Sequence, residues 1–163
     1  WELRLPFVPA LAAVYLSIQI LLGMAPLVLP TRGEINALGA ALCLDIGIAG
    51  IGFVLYPARL AFAPPPDPGF WTPVFRLADL LNGDYNLIPS LHVALGVTCA
   101  AAYAHRATAW AARGFWLWAG AIALSTLFLR QHHAVDVATG WSLGLLGGWL
   151  FRLSAGPIGQ SQV

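Results

Sequence analysis

Lysine is missing from this chain of 163 residues, and charge of either sign is scarce, with charged side chains making up 9% of the total. A soluble domain carries about 25% charged residues, so this one has too little charge to clothe a water-facing surface. The eight basic residues are all arginine and lie scattered, and the formal net charge is only +1. Nothing here makes the basic stripe that a nucleic-acid partner requires. Cysteine is nearly absent too. Cys43 and Cys99 each sit inside an apolar run and neither belongs to a CxxC, which speaks against redox or zinc motifs and for buried free thiols. The first residue is Trp1 instead of Met, which points to a missing leading segment or to a start partway through a longer protein.

What is there is grease, with 59% hydrophobic residues. A helix needs about 20 residues to cross a hydrocarbon core about 30 Å thick. Five stretches qualify, roughly 7–29, 35–56, 90–105, 109–129 and 135–153. Between the second and third lies a Pro-rich extramembrane connection, residues 57–89, too polar and too Pro-broken to cross anything. The expectation is an all-α integral membrane helical bundle, one domain over residues 1–163. The steps "GIAGIG" (47–52) and "GLLGG" (144–148) suit close helix packing in lipid.

Five spans bring the N-terminus, the Pro-rich connection and the turn at 130–133 to one face. That face then holds Arg59, His92, Arg130, His132 and Asp136. It carries Arg4, Arg59, Arg76 and Arg130, against Arg32, Arg106, Arg113 and Arg152 opposite. With Arg59 and Arg130 set aside for a site, the remaining bias puts the histidine face outside the cytoplasm, as in a bacterial inner membrane protein.

Ionisable groups at membrane depth point to function. In "LRQHHAVDVATG" (129–140), His132 and Asp136 are four apart. If a helix starts near His132 they share one face. The carboxylate can then hold the Nδ1 proton and leave Nε2 free as a nucleophile. The same spacing also suits a polar pair that merely caps the fifth span. His133 points elsewhere on an ideal helix and reads as a supporting or lipid-interface residue. In "NLIPSLHVAL" (86–95), Pro89 and Ser90 suit a helix start, whose free N–H groups bind anions. His92 in that first turn is placed for general acid work beside a phosphate, or is an incidental interfacial histidine. Arg59 and Arg130 match the charge that develops on a transferring phosphoryl group; snorkelling at helix ends is the plainer alternative.

The arrangement resembles the type 2 phosphatidic acid phosphatase superfamily, over roughly residues 35 to 153. Its motifs are a Lys/Arg segment, a Pro-Ser-x-His step and a Ser-Arg-x5-His-x3-Asp segment. "PSLH" (89–92) resembles the second, with Leu91 where Gly is commonest, and Ser125, His132 and Asp136 match the third. The resemblance implies His132 as a nucleophile forming a phosphohistidine, Asp136 as its orienter and His92 as the acid. Arg59, Arg130 and Ser90 are then the phosphate-binding groups. Thr126 stands where the third-motif Arg should be, so that role passes to Arg130, and the first motif keeps only Arg59. "PSLHVA" with "QHHAVD" is closer in style to the inositol phosphorylceramide synthase branch, in which an alcohol such as inositol accepts the group instead of water. The family usually has six spans, which implies a helix upstream of Trp1.

The substrate class expected is therefore a lipid phosphate within a membrane, handled without metal or cofactor, since no carboxylate pair at metal-binding spacing accompanies the histidines. Outside enzymes, the four histidines could ligate haem between helices and make an electron carrier, which would be coloured. Asp45 reads as paired with a neighbouring helix. Glu2, Glu34, Asp67, Asp79 and Asp84 read as solvated interface charges, and Trp71, Tyr85 and "GFWLW" (114–118) as aromatic belt.

Overall fold

A computed structural model describes residues 2–62, 66–81 and 87–156. Asp84 and Tyr85, expected at the interface, lie outside the described residues. Within them the protein is all helical. The helices are α1 (Ala12–Leu16), α2 (Ile18–Gly23), α3 (Ala25–Val28), α4 (Arg32–Leu55), α5 (Thr72–Leu81), α6 (Leu91–Arg106), α7 (Ala109–Phe128) and α8 (Ala134–Ala155).

Among the described residues, three helices are long and apolar enough to cross a membrane: α4, α7 and α8. Their outward faces carry Ile51, Val54, Leu117 and Leu153, all exposed, as lipid-facing surfaces should. The protein is an integral membrane protein. The other two of the five expected spans take different forms. Residues 7–29 break into short helices because Ser17 and Met24 adopt ψ of −10° and −11°, tighter than an α-turn. Pro26, which has no N–H, then falls in the first turn of a new helix. The third expected span, α6, has 16 residues, about 24 Å at 1.5 Å per residue. It is buried along most of its length.

That burial explains the small residues of α6. It is the central helix, against which α2, α4, α7 and α8 all pack. A methyl added at Gly144 would stand 2.5 Å from the Ala94 carbonyl oxygen, and one at Gly148 would stand 2.4 Å from Ala101 Cβ. The "GLLGG" step therefore lets α8 lie almost directly on α6. In "GIAGIG" only Gly52 is used this way, with Ile88 O 2.7 Å from the position of an added methyl; Gly47 and Gly50 have nothing within 4 Å.

Asp45 is buried on α4 and accepts a hydrogen bond from Thr98 Oγ on α6 at 2.6 Å, the pairing expected of it. Glu34 corrects the reading as a solvated charge. It is 2% exposed, closes a capping box with Thr31 at the start of α4, and ion-pairs with Arg106 at the end of α6. In "GFWLW" the aromatic rings of Phe115, Trp116 and Trp118 are partly buried, while Leu117 is exposed. Trp118 donates its Nε1–H to Ser17 Oγ at 2.8 Å, and Phe115 packs edge-on to Tyr103.

Candidate active site

The site is built on the turn between α7 and α8. The end of α7 is closed by Gln131 N–H donating to Thr126 O at 2.9 Å and Arg130 N–H donating to Leu127 O at 3.0 Å. This pattern needs a left-handed residue, normally glycine. Arg130 fills it at φ 57°, a conformation that costs an L-residue about 1–2 kcal/mol. The turn drives His132 inward, where it is 1% exposed. Helix α8 starts later than the His-x3-Asp spacing suggests, at Ala134, with His133 as N-cap. His132 is thus outside the helix, yet Asp136 in the first turn reaches back to it. Asp136 Oδ2 lies 3.5 Å from His132 Nδ1 and accepts the His133 backbone N–H at 2.8 Å. Nδ1 makes no hydrogen bond with any described residue; the contact has charge-pair reach with room to tighten.

The start of α6 abuts this turn. Ser90 is fully buried; its backbone N–H donates to Asp136 O at 3.0 Å, and its hydroxyl accepts from Val93 N–H at 3.4 Å. Gly140 makes the approach possible, because a methyl there would come within 2.4 Å of Ser90 O. His92 lies in the first turn of α6, within electrostatic reach of His132. Its Nε2 is buried without a hydrogen-bond partner among the described residues, and its ring stacks on Tyr15 of α1.

His133 faces the opposite way. Its ring stacks on Phe62, Nε2 accepts from Ala61 N–H at 3.1 Å, and Nδ1 lies 3.1 Å from Glu2 Oε1. The neutral tautomer with the proton on Nδ1 satisfies both contacts. Glu2, expected to be a solvated charge, also accepts Ala134 N–H at 2.7 Å. That bond, with His133 beside it, holds its carboxyl below the usual carboxylate range. A helix N-terminus attracts a carboxylate because its first N–H groups lack partners. Arg59 is exposed and lies two residues before Ala61 in the chain. Arg130 directs Nη2 toward Leu5 O at 3.5 Å, with Nε buried and without a hydrogen-bond partner among the described residues. Thr126, at the family's arginine position, turns its hydroxyl back to Ala123 O. His105 lies at the far end of α6, 13 residues beyond His92, about 20 Å along the axis. The four histidines do not form one group.

A family model described as the PAP2 superfamily matches residues 38–157, which contain His92, His132 and Asp136. The protein belongs to the PAP2 superfamily. Members of this superfamily are phosphatases or phosphotransferases acting on lipid phosphates. No curated protein and no solved structure gives a match, so the assignment stops at the PAP2 superfamily and reaches no branch within it.

Several residues around this PAP2 site went unsingled in the sequence. Gln131 is 3% exposed and donates Nε2–H to Asp79 Oδ1 at 3.2 Å, so Asp79 is also partnered. Tyr15 is fully buried beside His92. No local pattern marks a residue that becomes a neighbour only through tertiary packing. Glu34 differs, since "TRGE" (31–34) has the spacing of a capping box.

Proposed function

We propose that the protein removes the phosphoryl group from a lipid-linked phosphate through a phosphohistidine on His132, without a metal ion. The observation that carries this reading is the buried His132–Asp136 pair, joined through the Ser90–Asp136 backbone hydrogen bond to the helix start that bears His92. In a PAP2 protein, we read that grouping as a nucleophile, its orienter and an acid.

His132 Nε2 attacks phosphorus as the bond to the lipid oxygen breaks. His92 donates a proton to that departing oxygen, so the lipid leaves as an alcohol. Asp136 holds the Nδ1 proton and offsets the positive charge that the His132 ring gains. Arg59, Arg130 and the first N–H groups of α6 bear on the phosphoryl oxygens. Water then attacks phosphorus with His92, now unprotonated, taking its proton, and inorganic phosphate leaves as the His132–phosphorus bond breaks. The site lies on the non-cytoplasmic face of the membrane. An alcohol replacing water in the second half gives a phosphodiester, and the style of "PSLHVA" favours testing inositol as that acceptor.

The deciding assay is a panel of lipid phosphates offered to the protein in detergent, with and without inositol. Inorganic phosphate released in both arms is the expected result. A new phosphodiester formed only with inositol would make the protein a transferase. No product from any lipid phosphate, with folded protein, would overturn the reading.

A further inference from the structure

His92 is held in an unusual way. Among the described residues its side chain makes no hydrogen bond, and Nε2 is buried. What contacts its ring face is Tyr15, with ring centroids 3.9 Å apart and planes 14° from parallel. Tyr15 is fully buried, in a cluster with Ala12 of its own segment, Phe75 and Ala78 of α5, and Leu129 of the turn before His132. The short helices are anchored on α7 by Val8 N–H donating to Phe128 O at 3.1 Å and by the Trp118–Ser17 hydrogen bond. The Tyr15 hydroxyl is buried with no hydrogen-bond partner among the described residues. A buried hydroxyl without a partner is a cost, so the ring face, and not the oxygen, accounts for an aromatic residue here.

We propose that Tyr15 is a positioning residue that sets the ring plane of His92 for proton transfer to the leaving group. The proposal rests on the reading of His92 as the general acid. Tyr15 lies outside the PAP2 match, which begins at residue 38, so this part of the site comes from the segment preceding the matched region. A proton can be delivered only when the donor N–H lies on the line to the departing oxygen. A histidine with no hydrogen bond to fix it can turn about its side-chain torsions. A parallel ring pressed on its face removes that freedom, in a packing preference of aromatic pairs that goes beyond area burial.

The test compares two substrates that differ in their need for an acid. A lipid phosphate monoester must leave as an alkoxide unless protonated; p-nitrophenyl phosphate leaves readily as the bare phenolate. Tyr15→Met keeps a flexible side chain of similar bulk but removes the flat face; Tyr15→Phe keeps the face and removes the hydroxyl. Because His92 also serves the hydrolysis step that both substrates share, the comparison is made on kcat/KM, which reports only the steps through leaving-group departure. Tyr15→Met should lower kcat/KM on the lipid phosphate by roughly 10- to 100-fold, the scale expected of a small misplacement, and largely spare kcat/KM on p-nitrophenyl phosphate. Tyr15→Phe should behave as the parent. Equal losses of kcat/KM on both substrates, or no loss on either, would overturn the proposal. His92→Ala is the control for the underlying reading: if it shows no preference for the better leaving group, His92 is not the acid and the proposal falls with it. If His92→Ala shows that preference and Tyr15→Met does not, only the role of Tyr15 fails. A spectroscopic check uses the parent protein and so does not depend on a variant that folds. With labelled histidine in detergent micelles, the His92 ring protons should be shifted upfield by the Tyr15 ring current. Unshifted His92 ring protons would rule out the stack.

Discussion

At the scale of single residues, His132 and His133 are neighbours in sequence but opposites in surroundings. One is buried against a carboxylate; the other ties the residues after α4 and the N-terminal segment to the start of α8. His132→Ala should therefore abolish phosphate release while the protein still folds and binds lipid. His133→Ala should keep much of the activity and lower thermal stability, through loss of the Phe62, Ala61 and Glu2 contacts. Asp136→Asn retains an oxygen for the His133 N–H but loses charge and tautomer control, so kcat should fall by roughly two to four orders of magnitude. These variants are compared by phosphate release in detergent, each with a thermal melt. An active His132→Ala with a dead His133→Ala would move the nucleophile by one residue. Glu2 gives a pH-dependent companion. Its folded pKa is lowered, chiefly by the Ala134 N–H bond, so its contribution is present above the unfolded carboxylate pKa and disappears as pH falls through the lowered one. The melting difference between parent and Glu2→Gln should be small near neutrality and vanish in acid; a difference that grows in acid would contradict the contact.

At the scale of elements, the site depends on how closely α8 lies against α6. Gly140→Ala pushes a methyl into Ser90 O, and Gly144→Ala pushes one into Ala94 O. Each collision is with backbone, which cannot rotate away, so each variant should lose about 1–3 kcal/mol of stability. Gly140→Ala should also lose activity, because Ser90 and His92 shift with the start of α6. Gly39 of α4 and Gly120 of α7 have nothing within 4 Å. Alanine at either should be neutral or stabilising by up to about 1 kcal/mol, since glycine is the poorer helix former. Thermal melts of the four variants in one detergent separate the two classes. Helix existence was readable at this scale for α4, α7 and α8, whose ends fall within two or three residues of the expected spans. Residues 7–29 were not, because hydropathy averages over a Ser17 or Met24 turn that tightens the backbone without lowering apolarity.

At the scale of the whole molecule, the antiparallel run of α4, α6, α7 and α8 gathers His92, His132 and Asp136 at one end. The other end holds Arg32, Arg106 and Arg152. The proposed orientation is tested by single cysteines at exposed positions in a background lacking Cys43 and Cys99. In intact cells an impermeant maleimide should label Arg76→Cys and spare Arg113→Cys; the reverse pattern would place the site in the cytoplasm. The proposed charge stabilisation by arginines and a helix start predicts that phosphate release survives EDTA. Activity lost to chelation and restored by magnesium would replace the phosphohistidine route with a metal-assisted one.

Membrane residence could be read before any fold was known, because 9% charge cannot cover a soluble surface, and so could the motif spacings, which fall inside the residues that the PAP2 model matches. His-x3-Asp and Pro-Ser-x-His are local patterns, and local patterns survive without knowledge of the fold. Three-dimensional packing starts α8 after His132 and not at it, since that boundary follows from the Arg130 turn and from Glu2 reaching Ala134 across the chain. It alone made Glu34 a buried ion pair and put Tyr15 on the face of His92. Such contacts join residues up to about 130 positions apart, and no periodicity or composition encodes a partner at that distance. Packing selects it, through the shapes that α6 leaves open to its neighbours.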